Sequence, residues 1–481
     1  METTNRTDQH AIVIGGSVVG LMTARMLAGQ FGKVTLIERD QLADKPGPRK
    51  MTPQSNHYHV LLRGGLLVLG ELYPNFMDRM VALGSTPVRV GMDVAYHTPW
   101  GKAYSQSGSI KKQRDLGQRV LAQSRNLLEF GIRSFTLETP NIELKSGCTV
   151  TALQHENGRI AGITYTSPDG QKTLNADLIV DASGRGSRAP KWLADLGYAA
   201  PSETQIGCDL AYSTTKFEIP ASYQEPERLH AFYSAIPGTP RAAMMHEIEG
   251  RVWHCSVQGR VGHYPPTDEA GFMEFARGLY TPKLYDMIKD AKRVDDIFHM
   301  RFPASVLRHY EKLERFPDGY LVIGDAICSV NPVHGQGMSA HALTVKALED
   351  LILARTAAGR ELDGLALEFF AKAAALIESP WTLAAMADFM FPDTKGERPD
   401  NLAQVYEYMQ SLDALSVNDV EVHRLIADVL NLVRPVSALQ EPKIKRRVVA
   451  RMLRKKIMRG PRALIGWIGT AFRDSSQARS A

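Results

Sequence analysis

The stretch Ala11-Ile12-Val13-Ile14-Gly15-Gly16-Ser17-Val18-Val19-Gly20 decides the fold. Ala11 to Gly15 reads as a short buried strand, Val18 to Gln30 has helical spacing, and Lys33 to Glu38 reads as a second strand. Strand, glycine turn, helix and strand in that order begin a nucleotide-binding unit. Gly15 permits the tight turn, and Gly20 lets helix and strand pack closely. Amides at the helix start, around Ser17 and Val18, can bind a pyrophosphate, assisted by the helix dipole. Ser17 stands where the usual pattern has its second glycine. Glu38 ends the second strand, where an acid accepts hydrogen bonds from ribose hydroxyls. An acid there disfavours a 2′-phosphate, so NADPH is not the ligand held at this turn, whereas FAD or NAD fits.

Two further segments narrow the choice. In the first, the buried run Asp177-Leu-Ile-Val-Asp181 leads into Ala182-Ser183-Gly184-Arg-Gly-Ser187-Arg188, a glycine-rich turn. In the second, Gly324-Asp325-Ala326 is followed by Asn331-Pro332-Val333-His334-Gly335-Gln336-Gly337-Met338 and then a helix. An aspartate at a strand end suits a sugar-like hydroxyl. A Gly-x-Gly at a helix start offers amides to an anionic oxygen.

With these motifs the chain, from about residue 11 to about residue 390, resembles the para-hydroxybenzoate hydroxylase superfamily of FAD-dependent monooxygenases. Within it, the likeness is greatest to squalene epoxidase and the flavin epoxidases of polyether pathways. The resemblance implies bound FAD. It puts Asp325 on the ribityl chain, the Gly337 and Met338 amides and Gly335 near the flavin pyrimidine edge, and Pro332 beside the reactive carbon. It implies that Arg119 and Arg125, six apart in one helix, contact FAD. It also implies that Arg39, Arg49 and Gln54 belong to a strand end and loop reaching the cofactor. The backbone at Val150 would contact adenine, and Asp181 and Gly184 would belong to the middle motif. The chain departs from the hydroxylases at Ala182-Ser183-Gly184, where they carry Ala-Asp-Gly. That departure bears on NADPH or NADH as the reductant and leaves room for a separate reductase.

Three histidines each admit a functional and a structural reading. His334 stands where similar epoxidases have an aromatic residue, and it is either a proton donor or a loop-packing residue. His57 and His59 match a family loop with spaced histidines, and they either line the active site or are structural.

The expected fold is α/β: a Rossmann-like FAD-binding domain, an interleaved mixed β-sheet substrate domain and a helical C-terminal region. The FAD-binding parts are expected at 1–90, 119–199 and 303–360, and the substrate-side parts at 91–118 and 200–302. A helical region at 361–440 and a basic amphipathic tail at 441–481 complete the chain. Helices are expected over Leu61–Tyr73, Arg119–Phe135 and from Gly337, and strands over Thr149–His155, Ile160–Ser167 and Thr173–Ala182. Alternating runs at Leu210–Phe217, Leu229–Ile236 and Val252–Val261 predict the second sheet. Phe272, Phe275, Met287, Met300 and Phe302 suggest an apolar pocket, although such residues are mostly plain core.

With 481 residues, 44% apolar and 23% charged, the composition is that of a soluble globular protein. Cys148, Cys208, Cys255 and Cys328 lack paired spacing, which argues against disulfides and a zinc site and for a cytoplasmic setting. Met1 to His10 does not read as a signal peptide, and no run is apolar enough to span a membrane. Lys443 to Arg462 carries ten Lys and Arg and no acid, so with a net charge of +5 the remainder holds about −5. Ile444, Val448, Met452 and Ile457 fall on one side of this segment, and Leu464, Ile465, Trp467, Ile468 and Phe472 follow. It suits either a membrane surface or a solvated helix packed on the body. No motif for reading nucleic acid accompanies it.

The expected function is an FAD-dependent monooxygenase. It would use NAD(P)H and O2 to oxygenate a lipophilic secondary metabolite, by preference through alkene epoxidation. The alternatives are an aromatic hydroxylase of the same fold and an FAD-dependent reductase of the geranylgeranyl type. The Trp-x-Trp-x-Ile-Pro segment of flavin halogenases is absent from the chain.

Overall fold

The computed structural model describes residues 6–98, 101–102, 114–232 and 240–458. The first strand, Arg6–Ile14, lies at the centre of a five-stranded parallel sheet. Phe31–Ile37 and then Ile142–Lys145 flank it on one side, with Leu178–Asp181 and then Tyr320–Val322 on the other. All four pairings are parallel. Residues Ala11 to Ile14, Leu178 to Asp181 and Tyr320 to Val322 are buried, as a sheet covered on both faces requires. The C-terminal ends of three neighbouring strands therefore place Gly15, Ala182 and Gly324 side by side.

Helix Val18–Leu27 presses on its own strand. A β-carbon on Gly20 would lie 1.7 Å from the Gly15 carbonyl oxygen, and one on Gly15 would lie 2.6 Å from the Ala182 carbonyl oxygen. Gly15 also has φ +107°, a conformation that side chains resist.

Helix Arg125–Leu137 begins later than the sequence suggests. Ser124 caps it, its Oγ accepting the Leu127 amide at 3.0 Å. Upstream, Arg119–Ala122 is a strand paired antiparallel with Thr86–Arg89. Arg119 and Arg125 therefore do not share a helix. A turn also splits the expected strand Thr173–Ala182. Gly170–Asn175 closes a three-stranded antiparallel sheet with Arg159–Ser167 and Thr149–Glu156, while Leu178–Asp181 joins the parallel core.

The second large sheet has seven strands. Its order is Phe298–Phe302, Leu210–Glu218, Val252–Arg260, Arg241–Ile248, Leu229–Phe232, Val94–Thr98 and Gly101–Lys102. It is mixed, because Leu229–Phe232 runs parallel to Val94–Thr98 and the other neighbours are antiparallel. The latter part of the expected run Leu229–Ile236 lies outside the described residues. One face packs Phe217, Phe232, Met245 and Trp253 against helix Glu269–Arg277, which brings Phe272 and Phe275. Phe272, Phe275 and Met287 are thus core, not pocket wall, whereas Met300 and Phe302 line the cavity described below.

Beyond residue 362 the chain is helical: Leu365–Phe389, Leu402–Ser416, Val420–Leu430 and Pro442–Met458. In the last helix Ile444, Val448 and Met452 are buried against Leu412, Val422 and Leu425. The side that the sequence offered to a membrane is thus turned onto the body, and the cations face outward. Leu464 to Phe472 lie outside the described residues. None of the described helices is long and apolar enough to cross a membrane. All four cysteines are buried and free.

If the Gly20 contact sets the spacing of strand and helix, Gly20→Ala should cost about 2–3 kcal/mol through overpacking against backbone. Thermal unfolding should show a clearly lowered midpoint. A midpoint equal to wild type would contradict this packing.

Candidate functional site

A cavity of about 1680 Å³ runs across the strand ends. One end is bounded by Gly15, Ser17, Val18, Glu38, Arg39, Arg49, Gln54, Arg125, Val150 and Gly184. The middle is bounded by Asp325, Pro332, His334, Gly335, Gly337, Met338 and His59. At the other end the wall is apolar: Leu229, Ala231, Met244, Met300 and Phe302 from the mixed sheet, with Trp381, Met386, Phe389 and Met409 from the C-terminal helices.

The first end is charged. Arg49 is buried, and its Nη2 meets Glu38 Oε2 at 2.7 Å, its Nε meets Asp40 Oδ2 at 3.1 Å and its Nη1 meets Glu129 Oε1 at 2.6 Å. Nη1 also donates to the Gly16 carbonyl at 3.2 Å. Glu129 is shared with Arg125, whose Nη2 lies 2.8 Å from Oε2 and donates to Ser17 Oγ at 2.9 Å. Glu38 accepts the Gly16 amide at 2.6 Å and the Asp40 amide at 2.8 Å. Burial alone would push the Glu129 carboxyl up, but Arg125 and Arg49 pull further and hold it below its ordinary value. Its contribution to stability is therefore present above the ordinary glutamate range and is lost as pH falls through the lowered value. Burial likewise lowers the Arg49 value, but Glu129 and Glu38 more than offset it, so Arg49 stays charged.

Three observations fit a dinucleotide here. Arg125 Nη1 is buried at the cavity wall with no hydrogen-bond partner among the described residues. An anionic oxygen would satisfy it. A β-carbon on Gly337 or on Gly184 would meet nothing within 4 Å, so the backbone at both places is open to the cavity. Helix Gly337–Ala357 starts at the cavity without a side-chain cap, leaving its first amides and its dipole for a ligand. Two helix starts and a free guanidinium nitrogen in one groove suit the two charged parts of FAD, its pyrophosphate and the pyrimidine edge of its ring.

The structure moves several expected residues away from the wall. Arg119 is half-exposed and pairs with Asp115 at 2.7 Å, because it sits on the strand before the helix. Asp181 is fully buried. Its oxygens accept from the Ser183 amide at 2.8 Å, Ser187 Oγ at 2.7 Å and Tyr320 Oη at 3.1 Å, so it fastens the glycine turn from behind. Gly20 packs against the strand and does not reach the cavity. His57 is buried behind the wall, its Nδ1 2.9 Å from Thr214 Oγ1 and its ring edge-on to Tyr212. Burial, with His59 and His299 nearby, lowers it to about 3, so it stays neutral. His59 does reach the wall, its Nδ1 2.9 Å from the His57 carbonyl oxygen, and burial lowers it to about 4.

Sequence reasoning missed His341 and Asp388. His341 lies one turn into helix Gly337–Ala357, and its Nε2 is 2.7 Å from Asp325 Oδ1. His341 is buried, whereas the Asp325 side chain is 45% exposed at the cavity, so the imidazole orients the carboxylate. Asp388 is fully buried in helix Leu365–Phe389 and meets His334 Nε2 at 3.3 Å. Both lie at buried positions of helices that carry several other polar residues, and no motif marks them out.

Comparison with known proteins agrees with this geometry. The family described as "FAD binding domain" matches residues 8–348. The chain belongs to that family, within the group A FAD-dependent monooxygenases, and is an oxidoreductase. It is similar to Protein Rv3254 of Mycobacterium tuberculosis, at 29% identity over 395 residues, covering 81% of this chain and 82% of that one. It is similar also to squalene epoxidase 6 of Arabidopsis thaliana, at 24% identity over 335 residues, covering 68% of this chain and 58% of that one. Among solved structures, p-nitrophenol 4-monooxygenase from Pseudomonas putida shares the fold. Its TM-score is 0.61 at 17% identity, and the match covers 88% of this chain and 98% of that one.

Removing the Arg125 guanidinium should cost about 1.5–3 kcal/mol of FAD binding, the worth of a charge-assisted hydrogen bond. Titration of apoprotein with FAD should then show a Kd raised about tenfold or more for Arg125→Ala. Arg119→Ala should leave the Kd near wild type. Equal effects from the two substitutions would contradict the placement.

Proposed function

We propose that the protein is an NAD(P)H- and O2-dependent FAD monooxygenase that oxygenates a lipophilic, electron-rich substrate. The observation that carries this reading is one continuous cavity, anion-binding at one end and apolar at the other. FAD held at the polar end supplies electron storage and oxygen activation. Gly15, Ser17, Val18 and Arg125 would hold its pyrophosphate, and Glu38 would share its lone pairs with the ribose. Asp325, oriented by His341, would hold the ribityl hydroxyls. The Gly337 and Met338 amides would hold negative charge on the ring, with Pro332 beside it. The walls formed by Leu229, Met244, Met300, Trp381 and Met386 bind an apolar substrate and exclude water from it.

Alkene epoxidation, which needs no dedicated base, is the reading that the apolar wall favours. Hydroxylation of a phenol is the second reading, and the placement of His334 against a buried carboxylate favours it. Both squalene epoxidases and a p-nitrophenol monooxygenase stand among the similar proteins. Ser183 stands at the cavity in the middle motif and leaves two routes for electrons, directly from NADPH or NADH or through a partner reductase.

The outward cations of helix Pro442–Met458 support contact with an anionic membrane as a source of lipophilic substrate. Because Ile444, Val448 and Met452 are buried, that contact would be electrostatic and not insertional. Phosphatidylglycerol vesicles should therefore float the protein at low salt and release it at high salt. Failure to float at low salt would sink the membrane reading.

Anaerobic mixing with NADPH tests the main reading. Bleaching of the visible flavin band, followed by O2 consumption when air is admitted with substrate, is expected. Flavin that is reduced and then spent on saturating a double bond, with no O2 consumed, would establish the reductase alternative instead.

A further inference from the structure

Asp388 joins three parts of the molecule at a single carboxylate oxygen. Its Oδ1 accepts from Arg260 Nη2 at 2.6 Å, Asn331 Nδ2 at 2.8 Å and His334 Nε2 at 3.3 Å. Arg260 comes from the mixed sheet and Asp388 from helix Leu365–Phe389, while Asn331 and His334 lie in the loop that precedes helix Gly337–Ala357. Asn331 in turn caps the turn Pro332–His334, its Oδ1 accepting the Val333 amide at 3.1 Å. Val333 packs on Cys208, Leu210, Tyr212 and Phe302 of the substrate side. Position and tilt of the His334 ring are thus fixed from both domains.

The direction of the proton follows from this contact. A carboxylate only accepts, so the hydrogen of the neutral imidazole sits on Nε2 and Nδ1 carries a lone pair. Nδ1 has no hydrogen-bond partner among the described residues, and His334 lines the cavity. Asp388 Oδ2 is buried without a partner, so the carboxylate keeps capacity for an imidazolium. Burial pushes Asp388 up, but His334 and Arg260 pull further and hold it low, so it is charged. Cys208 and Tyr406 also lie near Asp388, as does the Arg398 guanidinium, which donates to the Phe389 carbonyl at 2.6 Å. Burial raises Cys208 to about 12 and raises Tyr406 too, so neither adds negative charge, and Arg398 adds a cation that acts in the same direction as Arg260.

We propose that His334 is a catalytic base, that Asp388 is its positioning residue, and that the substrate presents an acidic hydroxyl, phenolic or enolic, to His334 Nδ1. This rests on the monooxygenase reading and takes its second branch. The step is a proton transfer alone: the substrate O–H breaks, N–H forms on Nδ1, and the electron pair stays on the substrate oxygen. The resulting oxyanion feeds electron density into the ring or double bond that receives oxygen. The imidazolium is stabilised by the Asp388 carboxylate, whose own charge Arg260 balances. Arrangements of this kind, an imidazole fixed by a buried acceptor, set both tautomer and basicity.

The oxidised holoenzyme and 4-nitrophenol test this without turnover, because the bound phenolate is coloured in the visible and the neutral phenol is not. At a pH where free probe is mostly neutral, wild-type protein should raise the phenolate-to-phenol ratio of bound probe about tenfold or more, one unit of apparent pKa. His334→Gln should return the ratio to that of free solution with FAD content unchanged. Asp388→Asn should do the same, because an amide can donate to Nε2 and so place the ring hydrogen on Nδ1. Should Asp388→Asn lose its flavin, His334→Gln decides, since it leaves no buried charge unpaired. A probe that does not bind, that binds as neutral phenol, or whose ionisation survives His334→Gln overturns the proposal. Failure of the monooxygenase reading is seen separately, as flavin that is reduced and consumes no O2 whatever the state of the probe.

Discussion

Backbone approaches backbone where helix Val18–Leu27 meets the first strand, and this contact sets the geometry of everything around the cavity. Gly20 allows no β-carbon against the Gly15 carbonyl, and Gly15 allows none against Ala182. With helix and strand this close, the first helix points its amides across the ends of three parallel strands. Residues 182–188 and 324–338 emerge from the neighbouring strands at the same edge. Ligands of open parallel sheets gather at such edges because connections leave in opposite directions there. The polar half of the site thus follows from strand order and two glycines.

The cluster of Arg49, Arg125, Glu38, Asp40 and Glu129 is a second constraint at this edge. Two guanidinium groups face three carboxylates in a nearly dry place, and removing one partner would strand the others. The arrangement leaves Arg125 Nη1 unspent at the cavity. A groove that carries an unspent guanidinium donor beside open helix-start amides is prepared for an anion, and the gain on binding is large because little reorganisation is needed.

Much of this was legible in the sequence where local rules suffice. The strand-turn-helix opening, Glu38, the Asp325 motif and the Gly335–Met338 helix start depend on spacing within a few residues, and each reaches the cavity. Legibility ended where a side chain's direction depends on a distant element. Arg119 opens a run that reads as one amphipathic helix to Phe135, but pairing with Thr86–Arg89 makes its first residues a strand. Asp181 at a strand end suits a ligand hydroxyl by sequence, but Tyr320 and Ser187 draw its carboxylate inward. His341 and Asp388 could not be read at all. Each is one of several polar residues in its helix, and only tertiary contact gives it the partner that singles it out. The basic tail shows the same limit, because its apolar stripe found the body of the protein.

Flavin content of the purified chain tests the central claim most directly. The absorption spectrum after release of the chromophore, compared with protein concentration, gives identity and stoichiometry in one measurement. A yellow protein carrying FAD, or an apoprotein that takes up one FAD per chain, is the expected result. A colourless protein that binds no FAD on reconstitution would contradict the reading of all three motifs and of the cavity they surround.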